Sequence, residues 1–267
     1  MKTFSRLTIG QYYPGESLIH EADPRLKIVL LMAILVTLFI LNNFLGFLYL
    51  SLFMLTVIAV ARIPFSWILR GLRPLIYIIL FTLIVHFFFT VGEPIARLGP
   101  FVVTEEGFKN GILLSARFIL LVVGASLLTF TTSPVELTDG IEYLLTPFKK
   151  IKVPAHELAM MMTIALRFIP TLLLETDRIM KAQISRGADF ESGNLFRRAK
   201  NLISLLIPLF VGVFRRADEL ALAMESRCYR GGEGRTRLRV LMMRSKDWAA
   251  GVATVIFLLS AIYIGRL

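Results

Sequence analysis

The sequence predicts an all-α membrane protein with about five transmembrane helices and a cytoplasmic-side module of long crossed helices. Of its 267 residues 56% are hydrophobic, and the mean hydropathy is +0.70, whereas soluble domains contain about 45–50% apolar residues. The apolar residues are gathered into runs long enough to cross a bilayer, which takes roughly 20 residues. Lys and Arg, which give a formal charge of +11, flank these runs. This pattern indicates a lipid bilayer as the partner and not a nucleic acid.

Five apolar runs are interpreted as transmembrane helices: residues 27–41, 44–61, 74–92, 108–130 and 248–264. The first run is short for a span, and Asn42-Asn43 behind it predicts a tight turn, so the first two runs are expected to form a helical hairpin. Pro24 after Asp23 predicts the start of the first helix, because proline fits the first helical position. Residues 93–109 are expected to form a mixed, acid-leaning loop.

The distribution of basic residues orients these helices. Arg25 and Lys27, the segment Arg62–Arg73 and the chain after Ser133 are rich in Lys or Arg, and the positive-inside rule places them in the cytoplasm. We therefore expect a multi-pass protein of the cytoplasmic (inner) membrane, with its N-terminus inside and its C-terminus outside. Residues 1–24 are polar and mixed, and they are expected to form a loop or surface segment. They contain no apolar signal-peptide core.

The chain between the fourth and fifth spans predicts a different structure. Ser133-Pro134-Val135-Glu136 is a capping box, which predicts a short amphipathic helix, and Lys149–Lys152 marks the membrane surface. Two long helices, about His156–Arg186 and Leu195–Arg227, are expected to lie at the interface as a crossed pair; their apolar halves could instead dip into the bilayer and add two spans. The expected division of the chain is 1–132, 133–245 and 246–267.

An internal repeat lies near the ends of the two long helices. Asp177, Ala182 and Ser185-Arg186 recur at the same spacing as Asp218, Ala223 and Ser226-Arg227. Gly187 is expected to stop the first helix and the segment 229–232, which contains two glycines, the second. Each arginine could simply be a cation that the helix C-terminus favours, or the two tips could fit two similar sockets.

Two polar residues lie inside predicted spans. Arg117 interrupts the fourth span, at a cost of roughly 2.5–3.5 kcal/mol on insertion scales, and such a residue is a candidate functional site. Counting from the outer ends places His86 at a similar depth, which allows the two to be neighbours. We favour a structural anchor inside the bundle over a substrate pathway.

Other candidates lie on the long helices. Met160 and Met161 offer an adaptable surface to a third protein, Arg167 is read as a packing or interface residue, and Pro170 and Pro208 as kinks. Asp218 and Glu219 are expected to pair with Arg215 or Arg216 on the same helix, and Cys228 is read as a small residue at a crowded tip.

The residues that enzymes use are not arranged for chemistry. The sequence contains no Gly-Lys pair and therefore no P-loop, and its three histidines are scattered, which argues against a metal cage. A secondary transporter would need polar groups in several spans, and only Arg117 and His86 offer them. A membrane biosynthetic enzyme would need a carboxylate cluster, but capping and solvation explain Glu136, Asp139 and Glu142. We expect no catalytic or metal-binding residues, and any ATPase would be another polypeptide.

Four segments resemble the T component of energy-coupling factor (ECF) vitamin transporters: Thr132–Gly140, Leu166–Pro170, Lys181–Gly187 and Arg216–Arg227. The resemblance covers essentially the whole chain. The family's tips often read Ala-Arg-Gly, whereas this chain has Ser185-Arg186-Gly187 and Ser226-Arg227-Cys228, so arginine is the residue kept in both.

The resemblance implies a non-enzymatic coupling subunit. Two ABC-type ATPase subunits, expected to be a heterodimer, would each accept one tip and would bind the ATP and Mg; this chain would bind no cofactor of its own. A membrane-embedded S component would bind the substrate and pack on the coupling helices. The T component of a cobalt or nickel importer has the same architecture and remains the alternative.

Overall fold

The computed structural model describes residues 12–92, 94–98, 101–190, 195–232 and 241–265. Residues 1–11 of the predicted N-terminal surface segment lie outside these ranges. The chain divides into two compact units. The bundle unit comprises Gly10–Gly140 and Arg239–Leu267, and the long-helix unit comprises Ile141–Leu238.

The described structure is helical apart from one hairpin of two short strands, which confirms the predicted all-α class. The helices are α1 Leu18–Glu21, α2 Pro24–Ile40, α3 Phe44–Ala61, α4 Phe65–Leu72, α5 Ile76–Phe89, α6 Glu105–Thr131, α7 Pro134–Leu145, α8 Ala155–Ser185, α9 Leu195–Ser226 and α10 Ser245–Ile264. Two 3₁₀ turns, Arg73–Leu75 and Thr146–Ile151, join α4 to α5 and α7 to α8.

Local signals set the helix starts that the sequence predicts. Asp23 accepts a hydrogen bond from the amide of Arg25 at 2.9 Å and Pro24 begins α2. At α7, Ser133 and Glu136 each accept a hydrogen bond from the other's backbone amide, at 3.3 and 3.2 Å. Both starts therefore depend on residues that are adjacent in the sequence.

The segment predicted as an acidic loop contains regular structure. β1, Pro94–Leu98, pairs antiparallel with β2, Phe101–Thr104. α6 begins at Glu105, earlier than predicted, because the Thr104 hydroxyl accepts a hydrogen bond from the amide of Gly107 at 3.2 Å and caps the helix. The third span was predicted to start at residue 74. In the structure the helical stretch starts earlier, at Phe65, because the short helix α4 leads into α5.

Five described helices are long and apolar enough to cross a membrane: α3, the continuous stretch Phe65–Phe89, α6, α8 and α10. The number agrees with the prediction, but the members differ. α2 has 17 residues, about 25 Å, which is the lower limit for a span. α8, expected at the interface, has the length and composition of a span.

The core of the bundle unit lies among α2, α3, α6 and α10. Leu38, Leu50 and Phe130 are among its fully buried side chains. Lys27 reinforces one end of the unit, because its ammonium donates hydrogen bonds to the carbonyls of His20 and Thr131 at 3.0 and 2.9 Å.

Arg117 joins α6 to the end of α2. Its guanidinium donates hydrogen bonds to the carbonyls of Leu38 and Leu41 at 3.1 and 2.8 Å, groups that a helix end leaves without an intrahelical partner. The guanidinium carbon also lies 5.7 Å from the ring centre of Phe39 and 5.6 Å from that of Phe47. Arg117 is thus held by carbonyl dipoles and aromatic faces.

His86 lies on α5 and has different partners. Its Nδ1 is 3.2 Å from the hydroxyl of Thr90 on the same chain segment, and its Cβ packs against Gly111 of α6. The structure therefore gives His86 and Arg117 separate surroundings and does not make them a pair.

We predict that Arg117→Met lowers the free energy of unfolding of the detergent-solubilised chain by about 2–3 kcal/mol, because two carbonyls lose charged donors. Thermal unfolding followed by intrinsic fluorescence measures this. The control is Arg178→Met, which removes an exposed arginine from α8. Equal melting temperatures for the two variants would contradict the anchor.

Candidate docking site at the two helix tips

The two long helices end within one residue of the predicted positions. α8 ends at Ser185 and α9 at Ser226. Pro170 and Pro208 lie inside these helices and are exposed, as is Arg167. Met161 is exposed and Met160 is half-buried.

The first tip closes in a Schellman motif. The amide of Gly187 donates a hydrogen bond to the carbonyl of Ile184, and the amide of Ala188 donates one to the carbonyl of Gln183, both at 2.9 Å. Gly187 has φ +87°, the left-handed conformation that this motif requires and that glycine adopts readily. Arg186 is therefore the last residue before a fixed reversal of the backbone.

The second tip closes in the same way. The amide of Cys228 donates a hydrogen bond to the carbonyl of Glu225 at 2.9 Å, and the amide of Tyr229 donates one to the carbonyl of Met224 at 3.0 Å. Cys228 takes the left-handed position with φ +57°. The predicted stop in the segment 229–232 is thus wrong: the cysteine itself ends the helix, in a conformation that strains a residue with a Cβ.

Both tip arginines are exposed. Within the described ranges, neither the Arg186 nor the Arg227 guanidinium makes a hydrogen bond or an ion pair. The carbonyls of the last turn are instead satisfied by the backbone amides of the Schellman motifs. The serine hydroxyls bond back to their own helices, Ser185 to the carbonyl of Lys181 at 3.1 Å and Ser226 to that of Ala223 at 3.0 Å. Both guanidinium groups therefore keep their donors available in the described structure.

One ion pair connects α8 to α9. Arg216 Nη2 lies 3.0 Å from Glu175 Oε2, and both side chains are about one-third exposed. This corrects the expectation that Arg216 pairs with Asp218 or Glu219 on its own helix. Arg216 pairs with Glu175 across the helix pair and not with an acid on its own helix, because the Glu175 carboxylate faces it there.

This ion pair has a defined place in the internal repeat. Glu175 and Arg216 are 41 positions apart, the same separation as between Arg186 and Arg227. The two residues are therefore equivalent positions of the internal repeat. Arg186 and Arg227 each lie 11 residues beyond this contact in the sequence, which is about 16 Å along a helix.

Each chain segment that leaves a tip is held by the start of the other long helix. The side-chain amide of Asn201, in the second turn of α9, donates a hydrogen bond to the carbonyl of Asp189. His156, in the first turn of α8, lies 3.4 Å from the hydroxyl of Tyr229, with its other ring nitrogen 3.0 Å from Glu142 Oε1. The backbones of the tips match, while the residues that hold the exit segments differ.

An apolar stripe runs along the exposed side of α9. Ile203, Ile207, Phe210 and Phe214 follow one another at helical spacing, and all are exposed. The sequence shows this period, which lies in the part of the helix predicted as its apolar half. A surface of this size and composition needs lipid or protein to cover it.

The fold is that of a helical multi-pass membrane protein. Residues 15–238 match the family model CbiQ, described as a cobalt transport protein.

Three relatives are named energy-coupling factor transporter transmembrane protein EcfT. The chain is 56% identical to that of Thermosediminibacter oceani over 93% of its own length and 94% of the relative's. It is 52% identical to that of Clostridium kluyveri, covering 97% and 98%, and 49% identical to that of Bacillus subtilis, covering 94% and 95%. The chain belongs to this family of transmembrane components of ECF transporters, which confirms the resemblance found in the sequence.

We predict opposite effects of two substitutions at the tips. In Gly187→Ala the added methyl group meets no atom within 4 Å. The substitution still lowers the stability of the closed tip by about 1 kcal/mol, because alanine is strained at positive φ. Cys228→Gly relieves the same strain. Hydrogen exchange of the amides of Ala188 and Tyr229 should therefore speed up in the first variant and slow down in the second.

The control for this pair is Gly212→Ala in α9, where the glycine has ordinary helical backbone and open space around it. That substitution should strengthen its helix. If Gly187→Ala slowed exchange as well, the left-handed conformation at the tip would be wrong.

We predict that Glu175→Arg and Arg216→Glu each destabilise the helix pair, because each places like charges together, and that the double exchange restores most of the loss. The coupling energy should be about 0.5–1 kcal/mol, as for a partly exposed pair. Thermal unfolding of the four proteins measures it, and additive single effects would contradict the contact.

Proposed function

We propose that this chain is the coupling subunit of an ATP-driven importer, in which Arg186 and Arg227 each dock into one of two ABC-type ATPase subunits. The observation that supports this most strongly is the pair of identically capped, exposed arginine tips related through Glu175 and Arg216. Two related ATPase subunits that pair around a twofold axis offer two similar sockets in matching positions.

Arginine suits such a socket. Its planar guanidinium carries five donors in a fixed fork and stays charged, so a groove lined with carboxylate or carbonyl oxygens holds it in one orientation. Losing one partner of such a buried pair costs about 2–5 kcal/mol. The Schellman motif adds rigidity, because the arginine position cannot shift without breaking two backbone hydrogen bonds.

Movement of the ATPases would then reach the membrane through α8 and α9. ATP and Mg bind the partner subunits, whose closure displaces both tips. The helices carry the displacement past the contact between Glu175 and Arg216. A membrane-embedded S component, packed on the apolar stripe of α9 and on Met160 and Met161, would reorient and release its substrate inward.

Substrate choice belongs to the S component in this proposal, and a vitamin is the substrate class that the resemblance favours. The alternative is a cobalt or nickel importer, because the matching family model is described as a cobalt transport protein. Uptake of labelled vitamins and of radioactive cobalt by cells that express the assembled complex separates the two.

The proposal predicts that Arg186→Glu and Arg227→Glu each weaken co-purification with the ATPase subunits and that the double variant abolishes it. The matched controls are Arg178→Glu and Arg215→Glu, which reverse exposed charges on the same two helices away from the tips. These controls should co-purify like the parent chain.

If the double tip variant still co-purifies and still couples ATP hydrolysis to uptake, the arginines are only C-terminal cations of their helices. If the controls lose the ATPases to the same extent, general charge and not the tips determines binding. Loss of a single ATPase type in each single variant would assign each tip to its subunit.

A further inference from the structure

We infer that the turn between α7 and α8 is a binding site for anionic lipid headgroups, with Phe148 and Ile151 inserted among the acyl chains. The turn comprises Thr146–Lys152: the 3₁₀ segment Thr146–Ile151 and Lys152, which follows it. This inference does not depend on the ATPase-docking proposal.

The 3₁₀ geometry sorts the side chains. Residues three apart lie above one another in such a helix, so Phe148 and Ile151 share one edge. They are 49% and 74% exposed, although both are large and apolar. Lys149 and Lys150 occupy the other two edges. One apolar edge flanked by cations is the pattern of a segment that lies in a membrane interface.

The turn is built to hold this arrangement. Lys152 ends it in the left-handed conformation with φ +63°. Its amide donates a hydrogen bond to the carbonyl of Lys149 at 3.0 Å, and the amide of Val153 donates one to the carbonyl of Phe148 at 3.4 Å. The apolar edge is therefore fixed before any lipid binds.

Charge selects an anionic occupant. The three lysines of the turn are exposed, and none forms an ion pair with a described residue. The sequence from 143 to 156 contains no Asp or Glu. Of the two carboxylates that flank this stretch, Glu142 already faces His156, and Glu157 is exposed and makes no ion pair with a lysine of the turn. A phosphate-bearing headgroup would supply the missing negative charge.

Chain continuity associates the turn with the membrane. α8 begins at Ala155, directly behind the turn. Its apolar part is the half nearer the turn, since one charged residue, Arg167, occurs between Leu158 and Leu174. A turn that leads into an apolar half-helix, which needs lipid or protein to cover it, suits headgroup level.

The test uses the full chain with Phe148→Trp, reconstituted in phosphatidylcholine bilayers that contain a minor fraction of phosphatidylglycerol. Bromine is placed on the acyl chains of one lipid or the other, and quenching by the parent chain, which keeps Trp67 and Trp248, is subtracted. Brominated phosphatidylglycerol should quench the fluorescence more than an equal amount of brominated phosphatidylcholine. Each lysine near the surface favours the anionic lipid by up to about five-fold. High salt should reduce the difference.

Lys149→Gln with Lys150→Gln should reduce the lipid preference several-fold, since Lys152 remains, but keep quenching by both lipids. The matched control, Arg178→Gln with Arg215→Gln, removes the same charge from exposed positions of α8 and α9 and should leave the preference intact. Equal quenching by both lipids in the unmodified turn would overturn the headgroup site. No quenching by either lipid would overturn the inference as a whole and assign the turn to a protein surface.

Discussion

The contact between Glu175 and Arg216 is the interaction that relates the two long helices to each other. It joins equivalent positions of the internal repeat, so each tip arginine lies 11 residues beyond it in the sequence. A slip of one residue in either helix would turn the paired side chains away from each other by about 100°. The contact therefore reports the register of α8 on α9.

The matched tips lie in unmatched surroundings. Gly187 and Cys228 give the same backbone reversal, but only the cysteine does so under strain. Asn201 holds one exit segment, and a chain of Glu142, His156 and Tyr229 holds the other. This combination suits two sockets that are similar without being identical, as two different but related ATPase subunits would provide.

The features that the sequence predicts correctly depend on neighbouring residues. Asp23-Pro24, the capping box at Ser133, and the ends of α8 and α9 are all short-range signals, and the structure places each within one or two residues. Arg117 shows the limit: its donors meet carbonyls 76 and 79 positions away, and no local pattern announces them. The ion pair between Arg216 and Glu175 could not be predicted for the same reason. Cys228 was not predicted to end α9, because the nearby glycines are a more usual helix stop.

The central claim is that the two tips occupy corresponding sites on two ATPase subunits. Photo-crosslinking in the assembled complex tests it most directly, with a photoreactive amino acid at position 188 or 229, which are equivalent in the repeat and leave both arginines in place. The account predicts that each position crosslinks to a different ATPase subunit, through segments that align with each other in the two ATPase sequences. Crosslinks from both positions to one subunit, or to segments that do not correspond, would contradict it.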